Sequence, residues 1–266
     1  MKFKDKYGPW ALIAGSAEGL GEAWARTLAA RGLNLLMIDH QEDKLINLAK
    51  SIEEDHGIKT SPFFMNLADE DAAAKIMKEA GSIDCRLMVY NAAYSHVKPF
   101  LENTPDDNRH YIGINTYTQL SLVHSFSARL VQEGKNGGII LMSSLAGLIG
   151  MQMVAPYAAT KAFTWNLAEA LYHELKPHNI DVLACIAGAT STPAYLATDP
   201  RYGKIKPQIM KPSAVTEEAI GKLGRKARHI CGASNRLNYF ILTRLLPREM
   251  ASRMANRVMN KMYSNE

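Results

Sequence analysis

Residues 10–31, WALIAGSAEGLGEAWARTLAAR, carry the pattern that decides the fold. The apolar run from Trp10 to Ala14 has the length of a buried strand, and the amphipathic stretch from Leu20 to Arg31 predicts a helix. Between them lies a turn that holds Gly15, Gly19 and Gly21. Glycines let a backbone turn tightly and approach a ligand, and the N-terminus of a helix favours an anion such as a pyrophosphate. A strand, a glycine turn and a helix in this order predict a phosphate-binding unit, and an ordinary strand-to-helix turn is the plainer interpretation.

The same alternation continues along the chain. Apolar runs predict further strands at Asn34–Ile38, Thr60–Met65, Leu87–Asn91, Gly138–Ser143 and Asp181–Ile186. Amphipathic stretches predict helices near Asp43–Asp55, Asp69–Glu79, Arg109–Glu133 and Pro156–Leu175. Because regular alternation requires parallel strands joined by right-handed crossovers, we predict an α/β fold with a doubly wound parallel sheet. No linker or repeat divides residues 1–266, so we predict a single domain.

Composition and charge narrow the function classes. Hydrophobic residues make up 47% of the 266 residues and charged residues 21%, which is typical of a globular protein with a sizeable core. Residues 211–266 hold 11 Lys or Arg and 4 Asp or Glu, whereas residues 1–210 hold 20 and 22. The basic excess therefore belongs to the C-terminal part, and the nearly neutral body argues against nucleic-acid binding.

The compartment and the absence of a metal site are also predicted from the sequence. The apolar run after the lysines near the N-terminus is too short for a secretory signal. The three cysteines lack CxxC and metal-ligand spacing, and the histidines lack HxH or HxxxH spacing. The uncharged stretch 136–160 contains four glycines and a proline, which fits a strand and a loop better than a membrane helix. We predict a cytoplasmic protein without a metal.

The second predicted strand ends at Asp39, about twenty residues after the glycine turn. A carboxylate in this place accepts hydrogen bonds from the adenosine ribose of NAD and repels the 2′-phosphate of NADP. The next residues are His40 and Gln41, so no Arg or Lys follows immediately to bind that phosphate. The sequence favours NAD over NADP.

Tyr157 and Lys161 stand four residues apart on a predicted helix and hence on one face of it. A free phenol has a pKa of about 10, and a nearby ammonium together with a positively charged nicotinamide would lower the pKa toward neutrality. Tyr157 would then serve as a proton acceptor. A Tyr–Lys pair at this spacing is common, and its meaning depends on the motifs around it.

Those motifs resemble the short-chain dehydrogenase/reductase family from Ala14 to Thr192. The matching segments, in order, are the glycine turn, Asn91-Ala92-Ala93, Asn115, Ser143-Ser144, Tyr157 to Lys161 and Gly188 to Thr192. The resemblance implies that Tyr157 is the general acid/base, that Ser144 hydrogen-bonds the substrate oxygen, and that Lys161 binds the nicotinamide ribose. It further implies that Asn115 holds a water in the proton relay. Without the resemblance, Asn115 would be interpreted as an ordinary polar residue of a helix, and the two serines as polar residues at a strand end.

The resemblance also implies where a dinucleotide binds. The expected contacts are Gly15, Ser16, Glu18, Gly19, Leu20, Gly21, Asp39, Asn66, Leu67, Asn91, Ala92, Ala93, Tyr157, Lys161, Gly188, Thr190 and Thr192. Four positions depart from the family pattern: Asn66 replaces an Asp, Tyr90 replaces an Asn, Ala93 replaces a Gly, and Ala187 replaces a Pro. None of these departures removes a catalytic group.

The segment after Thr192 predicts how substrate is enclosed. Residues 193–212 are predicted to form a substrate lid, and residues 213–266 a C-terminal extension within the domain. The lid, together with Tyr94 to Val97, Leu145, Met151, Met153 and Val154, suggests an apolar pocket, and packing in the core or in an oligomer is the alternative. The last stretch, Glu249–Tyr263, reads as a basic amphipathic helix. It would pack over the site or in an oligomer, lie on a membrane surface, or recognise an acyl carrier or coenzyme A.

The expected function is NAD-dependent interconversion of a secondary alcohol and a ketone on a bulky apolar substrate, such as a hydroxysteroid, a lipid alcohol or an alicyclic alcohol. Reduction of a 3-oxoacyl thioester and a non-catalytic NAD-binding scaffold are the alternatives. The resemblance also implies a homodimer or homotetramer, paired through the helices that carry Asn115 and Tyr157. The C-terminal pattern resembles a subgroup of the family whose members are of uncertain substrate.

Overall fold

Seven parallel strands form the centre of the computed structural model, which describes residues 2–202 and 207–263. The strand order is 3-2-1-4-5-6-7, so the direction of winding reverses between the first and fourth strands. Such a reversal opens a crevice at the carboxyl ends of the strands, where ligands bind in doubly wound sheets. The strands are β1 (Trp10–Ala14), β2 (Asn34–Asp39), β3 (Thr60–Phe64), β4 (Cys85–Tyr90), β5 (Gly137–Ser144), β6 (Ile180–Ala187) and β7 (Arg228–Ile230).

Helices cover both faces of the sheet, and each face has its own apolar cluster. One cluster includes Trp24, Leu45 and Val215, from the second, third and ninth helices, and the other includes Ile76 and Phe126, from the fourth and sixth. The helices are α1 (Phe3–Tyr7), α2 (Leu20–Ala29), α3 (Glu42–His56), α4 (Ala72–Gly81), α5 (Pro105–Ile112), α6 (Thr118–Gln132), α7 (Ala155–Glu174), α8 (Pro193–Leu196), α9 (Pro212–Ile220), α10 (Ala233–Phe240) and α11 (Arg248–Tyr263). The predicted Rossmann-type fold in a single domain is confirmed.

The central strands are apolar on both faces because both faces are covered. All eight residues of β5 except Ser144 are buried, and the same is true of every β1 residue after Trp10. This explains why these strands read as continuous apolar runs rather than as alternating ones. The six predicted strands are all present, with ends that differ by no more than two residues.

One predicted helix needs correction, and some elements were not predicted. The helix predicted over Arg109–Glu133 is divided into α5 and α6 by a wider π-helical turn, Gly113–Tyr117. Helices α1, α8 and α10 and strand β7 were not predicted. Strand β7 has only three residues, two of them Arg228 and His229, so no apolar run marks it.

No helix in the described ranges has both the length and the apolar character required to span a membrane. The uncharged stretch 136–160 forms β5, a short 3-10 turn and the start of α7. Its apolar residues are therefore used in the sheet and in the loop that follows it.

Candidate active site

The glycine turn between β1 and α2 is built around contacts that no larger residue permits. Gly15 has a φ of +80°, and a Cβ on it would lie 2.7 Å from the Ala92 backbone nitrogen. A Cβ on Gly21 would lie 1.9 Å from the Gly15 carbonyl oxygen, so the third glycine lets α2 begin directly against the turn. Gly19, at φ +62°, precedes α2 and offers no side-chain cap to it.

Loops from β4 and β6 complete this corner of the sheet. The Asn91 amide donates to the Gly15 carbonyl at 2.7 Å, and the Asn91 backbone N–H donates to Ala14 at 2.9 Å. A Cβ on Gly19 would lie 3.1 Å from the Thr192 side chain. The predicted cofactor residues of β1, β4 and β6 thus meet at one edge of the sheet.

Asp39 ends β2 with its carboxylate almost buried. Its Oδ2 accepts from the Ala17 N–H at 2.9 Å, and its Oδ1 accepts from the Gln41 N–H at 3.1 Å. His40 Nδ1 lies 3.3 Å from Oδ1. The carboxylate is thereby fixed between the glycine turn and the start of α3.

Lys44 is a residue of this corner that the sequence analysis missed. Its ammonium donates to Glu18 at 2.7 Å and to the Gln41 side chain at 2.7 Å. Lys44 could have been found from the sequence, because it lies in the first turn of the helix that follows Asp39. The cation is neutralised by a carboxylate of the glycine turn.

Two other predicted cofactor residues use their side chains to form hydrogen bonds with the backbone. The Ser16 side chain is buried and donates to the Ile38 carbonyl at 3.3 Å. Asn66 is exposed, and its Oδ1 accepts from the Ala68 N–H at 3.0 Å. Leu67 is buried, Leu20 and Ala92 are partly buried, and Ala93 is exposed.

The loop after β6 is supported by two residues that the sequence analysis missed. A backbone bridge joins Thr190 to Met210, and Asn235 fits so closely that a Cβ on Gly188 would lie 2.5 Å from its amide nitrogen. Thr190 donates to Gly188 at 3.0 Å, and Thr192 caps α8. The segment that the resemblance assigns to the nicotinamide is therefore held from the C-terminal side.

The end of β5 and the helix α7 hold the predicted catalytic residues. The Ser143 hydroxyl donates to the Lys161 carbonyl at 2.8 Å, which ties the strand to the helix. A Cβ on Gly147 would lie 2.6 Å from the Lys161 carbonyl carbon, so this glycine lets the loop lie against α7. Ser144 is only partly buried, and its hydroxyl accepts from the Ala146 N–H at 3.2 Å. The same hydroxyl lies close enough to Tyr157 to lower the pKa of that phenol.

Lys161 is buried beside Tyr157. Its ammonium donates to the Met142 carbonyl at 2.8 Å and lies 5.6 Å from the centre of the Tyr157 ring. Burial lowers the pKa of Lys161 to about 8. Burial also raises the pKa of Tyr157, against a smaller lowering by the Ser144 hydroxyl.

In the protein alone, the pKa of Tyr157 is thus raised, whereas the sequence analysis expects a lowered pKa once a positively charged nicotinamide is bound. The expectation counted the Lys161 charge and a positive nicotinamide but did not include the desolvation of both side chains. In the protein alone, burial disfavours both the phenolate and the ammonium. The protonated phenol is thus the stable form of Tyr157 without a bound cation.

Asn115 lies in the π-helical turn, and its buried amide is fully engaged. Its Oδ1 accepts from the Tyr94 N–H at 2.7 Å, and its Nδ2 donates to the Tyr94 carbonyl at 2.9 Å and to Thr160 at 3.0 Å. The side chain therefore joins the loop after β4 to α7. The role of Asn115 in holding a relay water stays a prediction.

A group of possible metal ligands also escaped the sequence analysis. The ligand atoms of Glu218, His229 and Cys231 lie within 4.8 Å of one another. Glu218 accepts from Gly232 at 2.9 Å, lies 2.8 Å from His229 Nε2 and is paired with the guanidinium of Arg236. Because Arg236 already neutralises this carboxylate, we interpret the group as a structural contact that connects α9, β7 and α10.

The residues at the crevice fit a dinucleotide. A cradle that any Cβ would fill, an uncapped start of α2 and a fixed carboxylate after β2 lie along one edge of the sheet. These are the features that accept a pyrophosphate and an adenosine ribose. Ser144, Tyr157 and Lys161 lie at the end of β5 and on α7, on the far side of the switch point.

Comparison with known proteins gives a family match, two relatives and a solved structure. The family described as short chain dehydrogenase matches residues 9–201. The chain is 31% identical over 240 residues to a 7beta-hydroxysteroid dehydrogenase of Collinsella aerofaciens, covering 89% of this chain and 90% of that one. It is 29% identical to a very-long-chain 3-oxoacyl-CoA reductase of Laccaria bicolor, of which it covers 67%. A solved structure of a 7beta-hydroxysteroid dehydrogenase superimposes with a TM-score of 0.88 at 26% identity, covering 96% of this chain and 99% of that one.

Proposed function

Since the chain belongs to the short-chain dehydrogenase family, we propose that it interconverts a secondary alcohol and a ketone on a bulky apolar substrate, with a nicotinamide dinucleotide as hydride carrier. The observation that carries the proposal is the grouping of Ser144, Tyr157 and Lys161 where β5 meets α7. Hydroxysteroids are the substrate class that the similarity to 7beta-hydroxysteroid dehydrogenases supports.

The residues of the chain handle the proton and the oxygen. A bound nicotinamide supplies or accepts the hydride. In the oxidative direction the phenolate form of Tyr157, which Lys161 and a bound cationic nicotinamide would favour, takes the hydroxyl proton while the carbinol hydrogen leaves as hydride. In the reductive direction the phenol returns that proton to the oxygen. Ser144 donates a hydrogen bond to the same oxygen, whose charge changes during the reaction. Lys161, held by the Met142 carbonyl, places a cation beside the phenol.

NAD is the proposed cofactor, with NADP disfavoured. Asp39 is fixed by two backbone N–H groups and ends β2, where its carboxylate would accept hydrogen bonds from an adenosine ribose. Lys44, one turn into α3, is already paired with Glu18. A 2′-phosphate would therefore meet a carboxylate before it met an unpaired cation.

Replacing Asp39 tests this preference. The Asp39→Ser variant is expected to bind NADP roughly a hundredfold more tightly than the parent, because a like-charge contact costs several kcal/mol. Dissociation constants for both dinucleotides, measured by fluorescence, check this, with Asp43→Ser on the exposed side of α3 as control. A parent that already prefers NADP would contradict the assignment of Asp39.

The proposed substrate pocket is closed by the C-terminal segment. Helix α11 packs through Ala251 and Ala255 on Ile149, in the loop that follows β5. Gln152 donates from its backbone N–H to Asn256 at 2.7 Å, and the Arg201 N–H donates to the Met262 carbonyl at 3.0 Å. Helix α11 thus joins the loop after β5 to the segment after β6, and these two flank the catalytic residues.

Contacts within the segment after β6, and between that segment and α11, support its predicted role as a substrate lid. Tyr195 and Tyr202 meet through their hydroxyls at 2.8 Å, and Thr198 lies 3.0 Å from the Tyr263 hydroxyl. Residues 203–206 of the predicted lid lie outside the described residues.

A cavity of about 80 Å³ lies between the loop after β5 and the C-terminal segment. It is lined by Leu148, Ile149, Leu242, Thr243, Leu246, Arg248 and Ala251.

The experiment that tests the function is a substrate panel followed at the nicotinamide absorbance. Purified protein with NAD or NADP is offered hydroxysteroids, alicyclic alcohols and 3-hydroxyacyl-CoA thioesters, and the matching ketones with the reduced cofactors. Turnover confined to a bulky alcohol or ketone supports the proposal. Turnover confined to acyl-CoA would favour the reductase alternative that the Laccaria bicolor relative supports. Cofactor binding without turnover across the panel would favour a binding protein.

The cytoplasm is the proposed compartment. Cys85, Cys185 and Cys231 are buried and unpaired, although the sulfurs of Cys185 and Cys231 lie 3.7 Å apart. Two thiols at this distance stay reduced in a reducing environment. Fractionation of the source cells, with the protein detected by antibody, tests this assignment.

A further inference from the structure

One side of α11 remains uncovered by the rest of the described chain. Its apolar stripe consists of Met250, Met254 and Val258, which are 50%, 45% and 56% exposed. An adjacent basic stripe consists of Arg253, Arg257 and Lys261, all exposed. Spacings of three and four residues place these side chains on one side of the helix. We call these six residues the outer face of α11.

The helix is attached through its small residues. Ala251 and Ala255 are 1% and 9% exposed and pack on Ile149, while the larger apolar side chains point away from this contact. Asn256 adds hydrogen bonds to the loop after β5. The outer face is therefore not needed to hold α11 in place, and its apolar side chains lie in contact with solvent.

We propose that the outer face of α11 docks on an anionic lipid bilayer. A helix that combines exposed apolar side chains with Lys and Arg lies at the boundary of headgroups and acyl chains, where its cations meet lipid phosphates. The charge of the whole C-terminal part has the required sign, because residues 211–266 hold 11 basic and 4 acidic residues. No ion pair joins Arg257 or Lys261 to another described residue.

The same charge argues against a second copy of the chain as the occupant. A symmetric contact would bring the outer face of one protomer onto the outer face of the other. The cations of both copies would then meet, and Glu249, the one acidic residue within Arg248–Tyr263, is already paired with Arg253 at 2.5 Å. A bilayer with anionic headgroups supplies the missing opposite charge together with an apolar layer.

The position of the outer face fits an apolar substrate that partitions into lipid. The last turn of α11 contacts the segment after β6 through Met262 and Tyr263, and Leu196 of that segment is exposed. Docking would bring the proposed substrate entrance close to the bilayer. This consequence rests on the proposed function, whereas docking itself does not.

Vesicle cosedimentation of the full chain tests the proposal. The vesicles are made of phosphatidylcholine alone or mixed with phosphatidylglycerol. The triple variant Arg253→Gln, Arg257→Gln and Lys261→Gln is expected to bind the anionic vesicles roughly a hundredfold more weakly, since each basic residue contributes about a fivefold factor. The variant Met254→Gln with Val258→Gln tests the apolar stripe. Lys50→Gln, Lys59→Gln and Lys78→Gln remove the same charge from exposed positions on α3, before β3 and on α4, and are expected to leave binding unchanged.

Three results would overturn the proposal. The first is a failure of the parent protein to bind anionic vesicles at low salt. The second is equal binding by the outer-face variants when circular dichroism and cofactor binding show them to be folded. The third is binding to polyglutamate without binding to vesicles, which would point to an acidic protein instead. None of these measurements requires turnover, so failure of docking is distinguishable from failure of the proposed function.

Discussion

At the scale of single residues, the candidate site contains a buried ammonium group, that of Lys161, whose burial lowers the stability of the fold. Lys161 is almost fully buried, with one hydrogen bond to the Met142 carbonyl. Its pKa is lowered to about 8, so the folded protein binds fewer protons than the unfolded chain between about pH 8 and the ordinary lysine pKa of about 10.4. Stability contributed by this group therefore increases as the pH rises through that window. Below the window the buried ammonium destabilises the fold.

This sign predicts the effect of removing the charge. Lys161→Met is expected to lose turnover and to raise the free energy of unfolding near pH 7 by about 3 kcal/mol, less the lost hydrogen bond. The advantage should shrink toward about pH 10. Urea titrations at both pH values check this, with the exposed Lys78→Met as control. A variant equally stable to the parent at both values would show that the burial of Lys161 is not costly.

The sequence predicts where most residues of the candidate site lie in the fold, but it does not predict their side-chain contacts. The positions of Asp39, Ser144 and Tyr157 follow from strand ends and motif spacing, because parallel strands bring their carboxyl ends together. The engagement of Asn115 with Tyr94 does not follow, because it depends on the π-helical turn. The raised pKa of Tyr157 could not be predicted either, since desolvation depends on packing across β5 and α7.

At the scale of elements, the structure adds a connection that the sequence leaves open. Helix α11 was predicted as an amphipathic helix, and its three possible partners could not be distinguished from the pattern. The structure places its small residues inward and links it to the loop after β5 through Asn256. Periodicity shows which residues share a side of a helix, but alanines carry too weak a hydrophobic signal to reveal the contact side.

The link through Asn256 predicts a kinetic effect. Asn256→Ala removes the acceptor of the Gln152 N–H and the donor to the Gly150 carbonyl, so the proposed pocket wall should loosen. We expect KM for the substrate to rise roughly tenfold, corresponding to one or two lost hydrogen bonds, with cofactor affinity unchanged. Steady-state kinetics check this, with the exposed Asn238→Ala on α10 as control. An unchanged KM would show that α11 does not support the wall of the proposed pocket through Asn256.

At the scale of the whole molecule, a second exposed apolar surface supports the expected oligomer. Ile112, Tyr117 and Leu120 are exposed at the end of α5, in the π-helical turn and on α6, and Phe100 and Leu101 are exposed before α5. Exposed apolar clusters of this kind mark protein contacts. The resemblance implies pairing through the helices that carry Asn115 and Tyr157, and this surface lies on the first of them.

A charge on this surface should separate the protomers. Leu120→Arg is expected to convert a dimer or tetramer to a smaller species, because an isologous contact places the new charge twice in one interface. Light scattering coupled to size exclusion gives the mass, with Leu245→Arg at an exposed site outside α6 as control. A mass that does not change, or a parent that is already monomeric, would rule out this surface as the interface.

The most direct test of the account is the turnover of Tyr157→Phe on the substrate that the panel identifies. The phenyl ring keeps the packing of α7 and removes only the hydroxyl that exchanges a proton with the substrate. We predict a fall in kcat of roughly a hundredfold to ten-thousandfold with cofactor affinity retained, whereas Tyr172→Phe, on the same helix, should keep near-parental turnover. Near-parental turnover by Tyr157→Phe would contradict the account, because proton transfer would then have to occur elsewhere.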